Sequence, residues 1–336
     1  MKKKSLFNKL LFFINSVFAV LLLLSFILPY ISPKSFSVFA VISLFAQILF
    51  IGNLLFLFYW ILKLKKQLLL SALVLVIGWL ISAPFYKFSN EKEAKNNDLK
   101  VMSYNVRMFN FYKWNSDTDL AQKTFNFINK TSPDILAMQE FYASPNITFD
   151  YPHKYIKTKS RNNKFGLAIF SKFPIINSGS LDFKDSDNNI IYVDILKEQD
   201  TIRVYNVHLQ SLSINPDKEY FGEENNQKLL SRLKTTFKTQ ASQTEQFLAH
   251  EENWKGKKII LGDFNNTAYS WVYRKIKSNK KDAFLEAGNG FGKTFNYWFP
   301  MRIDFVLTST DFEINQFKTF DVKFSDHFPI LANINW

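Results

Sequence analysis

An α/β sandwich with mixed sheets, preceded by three transmembrane helices, is the architecture that this 336-residue sequence predicts. Three observations carry it. Residues 1–86 contain eight lysines and no acidic residue, whereas the rest of the chain contains all 29 acids. That first segment is filled by uncharged stretches at 10–33, 35–62 and 67–86, of 24, 28 and 20 residues, against the ~20 that a helix needs to cross ~30 Å of hydrocarbon. Beyond it, short β-rich runs alternate with helical ones and in places follow one another directly, which favours mixed sheets over a β-barrel or a purely parallel sheet.

The first stretch reads as a retained anchor, because no small-residue cleavage site follows it and two more apolar stretches come next. Lys2, Lys3, Lys4 and Lys9 precede the first stretch, Lys34 alone separates the first two, and Lys63, Lys65 and Lys66 separate the last two. Lysine clusters stay on the cytoplasmic side. The predicted protein is therefore integral to an inner or plasma membrane, touching the bilayer through residues 6–86, with the segment after Tyr86 extracytoplasmic. Lys87, Lys92 and Lys95 pull mildly the other way. No ionisable residue lies inside a stretch, which argues against a transporter or proton pump.

Of the +13 net charge, +8 belongs to the first 86 residues. The remaining +5 suits an anionic substrate but falls short of a dedicated nucleic-acid footprint. The absence of cysteine excludes disulfides, thiol nucleophiles and cysteine-bound metals. Asn90 to Lys100 is polar and reads as a tether, so the predicted organisation is an anchor at 1–86, a linker at 87–98 and one domain at 99–336. Strands are expected at 101–106, 135–138, 166–170, 190–195, 202–207 and 258–261. Helices are expected at 119–129 and 224–252, where Leu229, Leu233, Phe237, Ala241 and Phe247 trace an apolar stripe.

Chemically capable residues sit where these apolar strands end, the usual place for a loop-borne site. They fall in Ser103-Tyr104-Asn105-Val106-Arg107, Met138-Gln139-Glu140, Asn206-Val207-His208-Leu209-Gln210, Leu261-Gly262-Asp263-Phe264-Asn265, Arg302-Ile303-Asp304-Phe305-Val306 and Ser325-Asp326-His327-Phe328-Pro329. Singly, each has a plain structural explanation: Glu140 a solvated carboxylate, Asn105 a turn former, His208 a core histidine, Asp263 and Asn265 an Asx turn. Arg161, Lys164 and Lys172 read as a solvated face, and His153 and His250 as surface residues. The glycines before Thr294 lack the spacing of a P-loop.

Together, in this order, the six segments resemble the endonuclease/exonuclease/phosphatase superfamily over about residues 99–336. The resemblance implies a four-layer αββα sandwich, with two mixed sheets, that hydrolyses phosphoester bonds with magnesium or manganese. It implies Asn105 and Glu140 as metal ligands, with Asp326 adding a carboxylate at a second metal position. Asp263 would contact the attacking water or the second basic site, Asn265 would donate to a phosphate oxygen, and His327 would bind the scissile phosphate with Asp304 fixing its ring. His208 would lie near the leaving group as general acid or phosphate ligand. Abasic-site endonucleases carry an acid where this chain has Arg107, and lack its Val-His-Leu-Gln, so DNA repair of that kind is disfavoured. Nucleic acid is the first expected substrate, a phospholipid or sphingolipid the alternative, and a non-catalytic binding module a third reading that the intact constellation opposes.

Overall fold

The computed structural model describes residues 2–82, 84–89, 91–95, 97–143, 148–160, 164–184, 186–212 and 223–336, with side chains described from Leu6 and, in the last segment, from Asn226. In chain order the elements are helices α1 (Lys2–Ile27), α2 (Pro33–Leu44), α3 (Ala46–Leu62) and α4 (Leu68–Ile81), strand β1 (Leu99–Asn105), helix α5 (Leu120–Thr131), and strands β2 (Ile135–Tyr142), β3 (His153–Thr158), β4 (Phe165–Ser171), β5 (Ile175–Ser180), β6 (Ile190–Lys197) and β7 (Asp200–His208). Then come α6 (Glu223–Glu252), β8 (Lys258–Asp263), α7 (Trp271–Lys277), β9 (Lys281–Asp282), α8 (Ala283–Ala287), β10 (Asp304–Thr308), β11 (Glu313–Thr319) and β12 (Ile330–Asn335). They divide into two compact units, one of Met1–Phe85, Ile214–Ala241 and Thr267–Arg274, the other of Tyr86–Ser213, Ser242–Asn266 and Lys275–Trp336.

The first unit corrects the expectation of three full spans. Among the described residues one helix, Leu6–Tyr30, is long and apolar enough to cross a membrane, with mean hydropathy 2.7. The second predicted span is broken into α2 and α3, which are bent by 49°. Ser43 Oγ donates to the Ala40 carbonyl at 2.6 Å, and Phe45, at φ −97° and ψ 1°, donates its N–H to Ile42 O, closing the helix in a tight turn. The third, α4, has 14 residues, which at ~1.5 Å each falls short of ~30 Å. It stops at Ser82, whose backbone is extended and whose Oγ donates to Gly78 O, just before Pro84. Apolar composition predicted length, but serine and proline chemistry set where the helices end. These helices pack through Ala19, Leu22, Phe26, Leu49, Val74 and Leu75. A buried polar chain links them, Trp60 Nε1 donating to Asn15 Oδ1 and Asn15 Nδ2 to Ser71 Oγ.

The second unit holds two six-stranded sheets, ordered β11-β12-β1-β2-β4-β3 and β5-β6-β7-β8-β10-β9. Each is mixed: β1 and β2 run parallel in one, β7 and β8 in the other, and the remaining pairs are antiparallel. Side chains alternate along a strand. Leu99, Val101, Ile135, Ala137 and Ile169 thus meet Ile202, Val204, Ile259, Leu261 and Val306 in one core drawn from both sheets. Met102, Tyr104, Leu136 and Met138 point the opposite way, onto Ile128 of α5. The outer face of the other sheet receives Phe247 of α6, edge-on to Tyr205 at 5.1 Å. All six expected strands and both expected helices form. The strands not expected include β3 and β5, polar edge strands without an apolar run, and β10 to β12. Residues expected as a free linker are pinned to this unit: Lys87 exchanges backbone hydrogen bonds with Gly290, and Lys92 and Lys95 both reach Glu313 at 2.7 Å.

Candidate active site

Each inner row of the two parallel pairs is apolar at its start and polar at its C-terminal end. Along β1 the row reads Val101, Ser103, Asn105; along β2 Ile135, Ala137, Gln139; along β7 Val204, Asn206, His208; along β8 Ile259, Leu261, Asp263. Four polar strand ends thus meet where the apolar core stops. Register aligns them further, since His208, Asp263 and Asp304 lie abreast on β7, β8 and β10. By alternation Glu140 would face α5. A bulge between Met138 and Phe141, with Glu140 at φ +49°, re-aims it toward Asn105. Gly262 has φ +142°, and a Cβ there would fall 2.0 Å from Val207 O, so only glycine allows β7 and β8 this close beside His208 and Asp263.

Asn105 Nδ2 donates to Glu140 Oε1 at 3.2 Å and to Asp263 Oδ2 at 3.1 Å. His208 Nε2 lies 3.9 Å from Glu140 and 3.7 Å from Asp263, is buried, and has no hydrogen-bond partner. His327 Nδ1 donates to Asp304 at 2.9 Å while its Nε2 sits 3.6 Å from Asp263. The structure therefore brings Asn105, Glu140, His208, Asp263, Asp304 and His327 together. Asn265, at φ +48°, donates its N–H to Asp263 Oδ1 but commits Nδ2 to the Leu209 carbonyl. Asp326 pairs with Arg107 at 3.0 Å and lies near enough to Glu140 and His327 for its charge to act on both.

The electrostatics split the residues into opposite states. Burial pushes His208 down to about 3, with the cationic His327 adding to the effect, so its ring is neutral near pH 7. Burial also works against charge on His327, but Asp304 and then Asp263 hold it well above the usual histidine value. Burial pushes Asp263 up to about 7, and burial followed by Asp326 raises Glu140. Carboxylates crowded in this way, with amide and carboxylate oxygens as donors, fit a hard divalent cation that would stabilise their charged forms. Asp263, Asp304 and His327 offer atoms all within 4.8 Å of one another. Within that trio His327 is already hydrogen-bonded to Asp304, whereas Glu140 lies outside it and Asn105 turns Nδ2 toward Glu140 while its Oδ1 accepts from the Arg107 N–H.

Several contributors escape inspection of the sequence. Gln139 Nε2 donates to Asn206 Oδ1 at 2.7 Å, and Asn206 Nδ2 donates to the carbonyls of Met138 and Ala168, a polar layer that ties the two sheets beneath the site. Thr294 Oγ1 accepts from the N–H groups of Ile303 and Asp304, fixing the carboxylate that holds His327. Only the alternation of polar residues at strand ends hinted at the first, and the loop glycines at the second. A groove of about 700 Å³ opens from Glu140 and His208 past Gln210, Lys157 and Lys159; both lysines are paired, with Asp182 and Asp187. Lys172 binds Ser132 and Asp134, His250 packs on Tyr192 and Tyr205, and Arg161 lies outside the described residues.

The model of the endonuclease/exonuclease/phosphatase family matches residues 102–327, and a domain of unknown function matches residues 8–85. No curated protein matches the sequence. Solved structures with a similar fold include an endonuclease/exonuclease/phosphatase from Bacteroides vulgatus, 16% identical, TM-score 0.52, covering 71% of this chain and 99% of that one. A mannosyl-6-phosphatase of Bacteroides thetaiotaomicron is 17% identical, TM-score 0.50, over 71% of this chain and all of the other. A 3′ phosphatase from Neisseria, solved with a product DNA hairpin, is 18% identical, TM-score 0.51, with the same coverage. At these identities the likeness is one of fold.

Proposed function

The chain belongs to the endonuclease/exonuclease/phosphatase family, whose members hydrolyse phosphoester bonds, and from that premise we propose that it is a membrane-anchored, divalent-metal-dependent phosphodiesterase acting on nucleic acid. Residues 1–86 form its anchor and 99–336 its catalytic domain, on the extracytoplasmic side, joined by a connection at 87–98 that is tied to that domain through Lys87, Lys92 and Lys95. The observation that supports this reading is the meeting of Asn105, Glu140, His208, Asp263, Asp304 and His327 at the ends of strands from both sheets.

Glu140, with Asn105 through the Oδ1 that now accepts from the Arg107 N–H, would hold magnesium or manganese, which when bound would neutralise charge at the phosphoryl oxygens. Asp263, poised by burial near neutrality, accepts the proton of the attacking water. His327, kept cationic by Asp304, donates from Nε2 to a phosphate oxygen and stabilises the charge that grows there. His208, neutral and with an unpartnered buried Nε2, donates in its Nε2–H tautomer to a phosphate or leaving oxygen. Its low pKa favours the phosphate-ligand role over the general-acid one. Asn265 would have to exchange its bond to Leu209 O before donating to substrate.

A phospholipid or sphingolipid substrate is favoured by one observation, the apolar helix Leu6–Tyr30, which would keep the chain at a bilayer rich in such esters. Hydrolysis by the detergent-solubilised full chain of DNA, RNA, sphingomyelin, phosphoinositides and bis-(p-nitrophenyl) phosphate, with magnesium or with chelator, decides between the two. Metal-dependent turnover of nucleic acid is the expected result; turnover of lipid alone selects the alternative, and turnover unaffected by chelator overturns the metal assignment. The sidedness has its own test. In a chain with no native cysteine, Ser89→Cys should be labelled on whole cells by a membrane-impermeant maleimide, and labelling only after lysis would reverse the topology.

A further inference from the structure

We propose that Arg107 supplies the second positive charge of this centre and keeps it a one-metal site, Asp326 serving as the partner of the guanidinium and not as a metal ligand. The proposal deepens, and rests on, the divalent-metal reading above. Arg107 Nη1 lies 3.0 Å from Asp326 Oδ2, and both side chains are more than two-thirds buried. The guanidinium is also stacked 4.5 Å from the centre of the Trp114 ring, so two independent contacts hold it in place.

The backbone is built for this placement. Arg107, Met108, Phe109 and Asn110 all have positive φ, at 41°, 55°, 51° and 65°, a conformation that non-glycine residues adopt only when their surroundings impose it. Phe109 anchors the turn by packing against Phe125, Phe141 and Phe149. Asn110 fastens it by hydrogen bonds to Asn115 and Asp117. The Arg107 N–H in turn donates to Asn105 Oδ1 at 3.1 Å, so the guanidinium and the proposed ligand Asn105 share one rigid turn. A guanidinium stays charged at any working pH. An ion recruited to Asp326 would have to displace it and then sit against its charge, whereas a phosphate entering the site meets it as a further donor beside His327.

Calorimetric titration of Mn²⁺ into the full chain in detergent tests this without reference to turnover. Wild type and Arg107→Lys should each take one equivalent, and Arg107→Asp, which frees Asp326 and adds a carboxylate, should take two. Adding Asp326→Asn to Arg107→Ala should hold the stoichiometry at one, whereas Arg107→Ala alone should gain a second, weaker equivalent. Retention of the first equivalent in each variant reports a folded site, and Arg107→Lys separates charge from loss of the turn. Two equivalents in wild type, or only one in both Arg107→Asp and Arg107→Ala, overturns the proposal and leaves the metal reading standing. No binding by wild type overturns the metal reading itself, and this proposal with it.

Discussion

Arg203 and His208 lie five residues apart on β7, and the protein treats their polar atoms in opposite ways. Arg203 donates from Nε and Nη2 to both oxygens of Asp194, at 2.7 and 2.8 Å, and is flanked by the rings of Tyr192 and Trp254 at 4.3 and 4.2 Å. His208, equally removed from water, keeps Nε2 unbonded between two carboxylates. Buried polar groups in folded proteins are nearly always matched, because an unmatched one costs ~1–3 kcal/mol. One end of the strand follows that rule for stability; the other departs from it where a ligand is to be received.

The comparison can be broken or sharpened by measurement. Asp263→Asn removes the proposed base, and turnover should fall toward the top of the roughly 10²–10⁴-fold range for such a loss, in initial rates at saturating substrate. Asp194→Ala strands a buried guanidinium and should cost about 3–5 kcal/mol in denaturant unfolding, with the rate per folded molecule unchanged. His208→Ala should show the converse, a loss of roughly 10²–10³-fold in kcat at nearly constant stability. A large stability loss in that variant would instead make His208 a core residue and dissolve the contrast.

Glu140→Gln should abolish the metal-induced stabilisation, about 2.7 kcal/mol at a free metal concentration one hundred times its Kd, in thermal melts with and without magnesium. The smallest effect is on pH. Asp263 acts deprotonated and burial raises it, so kcat/KM should rise about tenfold per unit along the acid limb and level off once the carboxylate is ionised, with the limb moving to lower pH as metal is added. His327 acts protonated and is held well above its usual value. Activity should therefore persist on the alkaline side, and Asp304→Asn should bring the alkaline fall to lower pH.

Much of the site was legible because its residue types stand at the ends of apolar β runs, a pattern that local spacing preserves. Asn105, His208 and Asp263 stand at or just past the ends of expected strands, and their roles, like that of Asp304, come from the resemblance that the six segments carry together. Glu140 was identified as a residue, but its direction depends on the bulge after Met138. Asp326 illustrates the limit: its carboxylate chemistry allows a metal, and only the fold shows Arg107 already holding it. The helices of the N-terminal unit fail for a related reason, since hydropathy counts apolar residues while Ser43, Ser82 and Pro84 decide where hydrogen-bonded turns stop.

By itself, then, the sequence determined the change of composition near residue 86, the mixed-sheet class and the residue types of the site, because composition, period and strand-end chemistry are local properties of the chain. The tertiary structure alone decided the register that sets His208, Asp263 and Asp304 abreast, the Gln139 and Asn206 layer joining the sheets, and the Arg107 to Asp326 pair. Each of these joins residues between 41 and 219 positions apart, and such pairings become favourable only when the burial of both sheets against one another has compensated the entropy of closing the intervening loops.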